Sequence, residues 1–128
     1  MDIQIASNFE RLLFDIMSQS NEKTASAMNL FEEKGKLTVE RQDLNIISNI
    51  FASESTHQED VNKIISNVHE IHSYLIDPHT ATGINASRKT NDSDRMNFTL
   101  STAHPVKFSE TVEMAVGKNL DLLSNYKD

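Results

Sequence analysis

Apolar residues recur every three or four positions over most of the chain, a spacing that places side chains on one face of an α-helix. The clearest case is the stretch before residue 72, with apolar side chains at Val61, Ile64, Ile65, Val68 and Ile71. The pattern predicts about six helices. They cover approximately residues 8–18, 21–35, 40–51, 55–72, 78–88 and 109–116.

Polar residues and glycines predict where these helices begin and end. Ser7 with Glu10, and Ser55 with Gln58, have the three-residue spacing of a capping box. Asp77 stands directly before Pro78, as an N-cap stands before a proline in the first helical turn. Two glycines are suited to closing helices: Gly35 and Gly117.

Two short segments, Met1–Ile5 and Met96–Leu100, are apolar and read as β-strands. The long helical connection between them favours a parallel pair, and parallel strands normally lie inside a larger covered sheet. No other convincing strand is present to flank them. The sequence therefore predicts a mainly α fold with two short β-strands. We expect residues 1–128 to form a single unit that is incomplete as a domain.

Charge and composition exclude several classes of partner. The formal net charge of −7 disfavours nucleic acid and anionic membrane as partners of the whole surface. No apolar run is long enough to span a membrane, and no secretory signal is visible. The absence of cysteine excludes disulfides and thiol catalysis, and it fits a cytoplasmic protein.

The segment Leu100–Phe108 is the most informative part of the chain. It follows a predicted strand, breaks at Pro105 and enters a helix, and ligands of α/β proteins usually dock where strands end. Together with Met1–Arg11 and Tyr74–Gly83, it closely resembles the threonine synthases in identity, order and approximate spacing. These three motifs span most of the chain, so the resemblance is highly specific.

The resemblance implies the C-terminal part of the α/β large domain of a fold type II pyridoxal-phosphate enzyme. The whole family enzyme converts O-phospho-L-homoserine and water into L-threonine and phosphate. Such an enzyme needs a lysine that binds the cofactor covalently and a glycine-rich loop for the cofactor phosphate. The three glycines, Gly35, Gly83 and Gly117, are too far apart to form that loop. In the family both elements lie upstream of the matched region.

The chain alone is therefore expected to be inactive and not to hold pyridoxal 5′-phosphate stably. Its partners would be O-phospho-L-homoserine in the complete enzyme, the missing N-terminal part, and a second copy of itself. Two alternatives stay open. The chain could be a stand-alone helical module that binds a protein, or a regulatory remnant that pairs with an intact synthase. An adjacent coding segment with the lysine and the loop would favour the enzyme.

By the resemblance, Thr102 is the threonine that hydrogen-bonds the pyridine nitrogen of the cofactor, although a threonine at this place could simply end a strand. Asn8 and Arg11 are implied to bind substrate. They lie one helical turn apart near a helix N-terminus, where anions are favoured. The alternative for Arg11 is an ion pair with Asp15 on a solvated face.

Two further residues, His79 and His104, match family positions next to or near a proline and are assigned to substrate binding. Either ring could instead hydrogen-bond the backbone and brace a turn. A separate group of histidines, His57, His69 and His72, does not have the His-Glu-x-x-His spacing, and no cysteine supports it. No metal site is therefore expected.

Overall fold

A computed structural model describes residues 6–90 and 94–117 of the 128-residue chain. Six α-helices and one short 3₁₀ helix lie in this part of the chain. They are α1 (Ser7–Ile16), α2 (Asn21–Lys34), α3 (Arg41–Ile50), α4 (Gln58–His72), α5 (Pro78–Lys89), the 3₁₀ helix (Pro105–Phe108) and α6 (Ser109–Val116). No helix among the described residues is long and apolar enough to cross a membrane.

The six predicted helices are present, with ends within about three residues of the prediction. Both capping boxes are wrong. Ser7 is already the first residue of α1, and His57 rather than Ser55 precedes α4; neither helix has a side-chain cap. A capping side chain must come from the extended residue directly before the helix, so the Ser-x-x-Glu/Gln spacing cannot cap a helix that starts elsewhere. The Asp77 cap is confirmed.

The predicted fold class is wrong in its strands, because the described residues contain no β-strand. Met96–Leu100 runs as an irregular segment, and the side chains of Met96, Phe98 and Leu100 are 80–83% exposed. A strand exists only when a neighbouring strand completes its backbone hydrogen bonds. Residues 6–90 and 94–117 supply no such neighbour. The other predicted strand, Met1–Ile5, lies outside the described residues.

The chain divides into two compact units, Met1–Ala52 and Ser53–Asp128. In the second unit, one apolar face of α4 packs against α5 and α6. The buried residues of this core are Val61, Ile64, Ile65, Val68, Ile76, Ala81 and Val112. This hydrophobic cluster holds the start of α5 in place. That the 128 residues form one part of a larger domain remains a prediction.

The first unit buries much less. Among its described residues, the buried side chains are Leu13 of α1 and Thr24 of α2. The apolar side chains of α3 are largely exposed, including Leu44 and Ile50, and so is Phe51 directly after the helix. An apolar stripe this exposed is unusual for a helix of a finished domain.

Candidate functional site

In the second unit, a network of buried and partly buried hydrogen bonds surrounds the start of α5. Asp77 is the N-cap, and its Oδ1 accepts hydrogen bonds from the backbone N–H groups of His79 at 2.8 Å and Thr80 at 3.3 Å. Pro78 has no N–H to satisfy, which suits the first helical position. The Asp77 side chain is completely buried. Local sequence thus explains why the helix begins here.

The other carboxylate oxygen of Asp77 reaches a distant part of the chain. Its Oδ2 accepts hydrogen bonds from the Thr80 hydroxyl and from the backbone N–H of Ala103, the latter at 3.4 Å. The Thr80 Oγ1 in turn accepts a hydrogen bond from the backbone N–H of Thr102 at 3.3 Å. Two consecutive amides of the segment after residue 100 are therefore tied to the start of α5.

The turn at Pro105 has its own local support. The Nδ1 of His104 accepts a hydrogen bond from the backbone N–H of Val106 at 3.2 Å, so this imidazole caps the 3₁₀ helix. The ring of His79 meets the ring of Phe108 edge-on, with 5.0 Å between centroids. His104 thus makes the backbone hydrogen bond that the sequence left open as its alternative role, whereas the contact recorded for the His79 ring is with another ring.

An open groove of about 610 Å³ lies beside this network. Its lining residues are Ser73, Tyr74, Leu75, Ser101, Thr102, Ala103, His104, Pro105 and Lys107. Thr102 and His104 are both exposed to it. The groove presents a hydroxyl, an imidazole and an ammonium group, a set able to hold a polar, anionic small molecule.

Asn8 and Arg11 lie together on α1 in the first unit. The Arg11 Nη1 donates a hydrogen bond to the Asn8 Oδ1 at 3.0 Å, and both side chains are exposed. The carboxylate of Asp15 accepts instead from the Gln19 Nε2 at 3.5 Å. Arg11 also lines a groove of about 590 Å³ along α1 and α2. In this geometry Asn8 orients the guanidinium, whose other N–H groups can meet an anion.

The five candidate residues thus fall in both units: Asn8 and Arg11 in the first, and His79, Thr102 and His104 in the second. Sequence reasoning found Asp77 as a cap but missed its second role, and it missed Thr80 altogether. The signal was the Asp-Pro-x-Thr spacing, which puts a hydroxyl in the first turn of the helix beside the capping carboxylate. Among the described residues, no three His, Cys, Asp or Glu side chains gather as metal ligands.

Comparison with known proteins gives concordant matches. The family model described as threonine synthase, C-terminal, matches residues 80–128. The chain is 41% identical to a threonine synthase of Pseudomonas aeruginosa over 90% of its length, and 34% identical to that of Schizosaccharomyces pombe over all of it. A crystal structure of threonine synthase from Brucella melitensis with pyridoxal phosphate bound superposes on 95% of the chain, with a TM-score of 0.82 and 33% identity.

These matches define the class: almost the whole chain is similar to threonine synthases, and the crystallised one carries bound pyridoxal phosphate. Within that class it corresponds to the C-terminal region of threonine synthases. It covers 25% and 26% of the lengths of the two curated relatives and 26% of the crystallised protein. The family expected from the three sequence motifs is therefore confirmed.

Proposed function

We propose that the chain supplies the C-terminal part of the active site of a threonine synthase. The complete enzyme would convert O-phospho-L-homoserine and water into L-threonine and phosphate with pyridoxal phosphate. The main support is the match of almost the whole chain to one region of threonine synthases. The location proposed for the enzyme is the cytoplasm, which the cysteine-free composition permits.

Thr102 is the proposed contact to the pyridine nitrogen of the cofactor. Its side chain is exposed to the groove, and its backbone is tied to the buried start of α5, so the residue fits a role as an oriented hydroxyl. Pyridoxal phosphate, when bound, supplies the electron sink for this chemistry. A neutral hydroxyl beside the ring nitrogen does not hold a proton on it as a carboxylate would, and so moderates that sink.

Arg11 and Asn8 are the proposed contacts to the substrate phosphate. A guanidinium is planar and binds phosphate through two parallel N–H groups, and the hydrogen bond to Asn8 limits its rotation. The other proposed substrate contacts are His79 and His104. Because Nδ1 of His104 accepts a backbone N–H, the neutral ring carries its proton on Nε2 and donates from there.

The lysine that binds the cofactor and the loop for its phosphate are assigned to the missing N-terminal part. The 128-residue chain alone is then expected to release no phosphate from O-phospho-L-homoserine. It is also expected to hold no stoichiometric pyridoxal phosphate. Phosphate release by the purified chain would contradict this division of labour.

A chimaera tests the proposal directly. The chain would replace the matching C-terminal region of the Pseudomonas aeruginosa relative, and phosphate release from O-phospho-L-homoserine would be measured. We expect activity in the chimaera and none in the same relative lacking that region. In the chimaera, Thr102→Ala should lower kcat roughly tenfold, since an oriented hydrogen bond is worth about 1–2 kcal/mol.

Thr102→Ser is the matched control, because it keeps the hydroxyl and should keep most of the activity. If Thr102→Ala leaves both the rate and the cofactor absorbance unchanged, Thr102 does not touch the cofactor. If a folded, pyridoxal-phosphate-loaded chimaera is inactive, the chain does not supply a working active-site part.

A second candidate function is a stand-alone helical module that binds a protein. The exposed apolar face at Leu44, Ile50 and Phe51 favours it, because such a face commonly packs on a partner. The chimaera separates the two functions. A binding module would not restore threonine synthesis to a truncated relative.

A further inference from the structure

We infer that Thr80, oriented by Asp77, is a positioning residue that sets the place of Thr102 in the groove. The inference concerns two residues that no sequence motif had assigned to the reaction. It rests on the proposed function for the role of Thr102, but the hydrogen-bond relay itself is a property of this chain and can be tested without any reaction.

The direction of each hydrogen bond in the relay follows from the chemistry of the groups. An ionised carboxylate only accepts, and it has about four lone-pair sites. Asp77 receives four hydrogen bonds: from the N–H groups of His79, Thr80 and Ala103, and from the Thr80 hydroxyl. The single proton of that hydroxyl is therefore committed to Asp77. The lone pairs of the Thr80 oxygen then point away from Asp77, where one receives the Thr102 N–H.

Thr102 needs such support because the segment around it is irregular. It lies in neither a helix nor a strand, and its side chain is exposed. Thr80 and Asp77, by contrast, are buried at the first turn of a helix that packs on the core of the unit. The relay joins residues 22 positions apart in the chain and transfers the rigidity of that helix to the groove. A misplacement of about 1 Å of a group in an active site can lower a rate roughly a hundredfold.

A purely structural role must be separated from positioning. Thr82 offers the matched control, since it lies on the same helix and its hydroxyl donates to the His79 carbonyl at 2.7 Å. Thr82→Val removes a hydroxyl of the same type without touching Thr102 or Ala103. Thr80→Val removes the relay while keeping the shape of the side chain, and Thr80→Ser keeps the hydroxyl.

The first measurement is amide hydrogen exchange in the isolated 128-residue chain, followed by NMR. In Thr80→Val the Thr102 amide should exchange roughly fivefold faster, the ratio expected for one lost hydrogen bond. The same amide should be unaffected in Thr82→Val and nearly unaffected in Thr80→Ser. Unchanged exchange at Thr102 in Thr80→Val would overturn the inference, whatever the chimaera does.

Asp77→Asn gives a second route if Thr80→Val does not fold. Asparagine caps a helix as well as aspartate does, so the Oδ1 contacts that start α5 are retained. Its amide nitrogen cannot accept from Thr80 or Ala103, so the Ala103 amide should also exchange roughly fivefold faster. An unchanged Ala103 amide in a folded Asp77→Asn chain would count against the relay.

The second measurement is a double-mutant cycle in the chimaera. If Thr80 acts through Thr102, Thr80→Val should lower kcat roughly tenfold in the parent background and have almost no further effect beside Thr102→Ala. Thr80→Ser should rescue the rate. Equal losses in both backgrounds would show that Thr80 acts by another route and would overturn the inference.

The two measurements separate the relay from the proposed function. Faster exchange at Thr102 with an inactive chimaera would support the relay and contradict the proposed function. Unchanged exchange at Thr102 with an active chimaera would contradict the relay and support the proposed function.

Discussion

At the scale of single residues, the orientation of the Arg11 guanidinium depends on a hydrogen bond to a neighbouring side chain. A lone exposed arginine is a solvated cation, and its side chain samples many rotamers. The hydrogen bond from its Nη1 to Asn8 Oδ1, one helical turn earlier, narrows that range. The remaining guanidinium edge then has a preferred direction, which suits a bidentate contact to a phosphate.

We predict that Arg11→Ala in the chimaera lowers kcat/KM for O-phospho-L-homoserine by one to a few orders of magnitude. A charge-assisted contact of about 1.5–3 kcal/mol sets this scale. Arg11→Lys should fall between the parent and the alanine variant, because the charge survives and the planar fork does not. Added inorganic phosphate should inhibit the parent more than Arg11→Ala. Initial rates of phosphate release would measure all three effects.

Arg41→Ala serves as the control for Arg11, since Arg41 is an exposed arginine of the same unit at the start of another helix. It should leave KM and phosphate inhibition unchanged. If Arg11→Ala behaves like Arg41→Ala, Arg11 is only a surface cation and holds no substrate.

At the scale of single elements, the end of α4 carries an unfavourable residue. Ser73 closes the helix in the left-handed conformation, with φ of 52° and its N–H bonded to the His69 carbonyl at 2.9 Å. Glycines close α2 and α6 with nearly the same backbone geometry, at Gly35 and Gly117. Residues with a Cβ adopt this conformation at a cost of about 1–2 kcal/mol.

We predict that Ser73→Gly stabilises the chain by about 0.5–1 kcal/mol. Relief of the left-handed strain is partly offset by the greater freedom of glycine in the unfolded chain. Ser73 is exposed, so little packing is lost. The midpoint of denaturant unfolding, followed by circular dichroism, would rise.

The reciprocal change, Gly35→Ser, should lower the stability of the chain by a similar amount. Nothing lies within 4 Å of a Cβ at residue 35, so its effect reports backbone conformation alone. A fall in the unfolding midpoint of Ser73→Gly would mean that residue 73 is not in the left-handed conformation.

At the scale of the whole molecule, the described residues expose many large apolar side chains, and three of the most exposed lie in one short segment. The segment 96–100 alternates apolar and polar residues, with Met96, Phe98 and Leu100 largely exposed. Such a segment has the two-residue period of a strand, and its exposed apolar side chains can pack against another extended chain. Gly83 of α5 approaches the same segment closely, because an added Cβ would meet the Thr99 methyl at 3.0 Å.

We predict that the isolated chain self-associates through this segment, in a pairing between two copies. Light scattering over a range of concentrations would show a mass above that of one chain. Phe98→Lys should lower the association, because a charge in the apolar row opposes edge-to-edge pairing. Asn97→Lys is the control, since it adds the same charge at the alternate position. A concentration-independent single-chain mass would contradict the prediction.

The periodicity of apolar residues predicted all six described helices, although it did not fix each helix start. An α-helix satisfies its hydrogen bonds within one stretch of chain, so the spacing of apolar residues and a local cap such as Asp77 are sufficient to place α4 and α5. The family likewise followed from three linear motifs. These properties depend on residues that are close together in the sequence.

The strands and the polar network needed the tertiary structure. Met96–Leu100 has the composition of a strand, but a strand needs a partner, and the described residues contain none. The relay from Asp77 through Thr80 to Thr102 joins segments more than 20 residues apart, and no local pattern encodes that meeting. The sequence by itself determined the helices, because their backbone hydrogen bonds form within one stretch of chain. The tertiary structure decided which groups from distant parts of the chain form hydrogen bonds with each other.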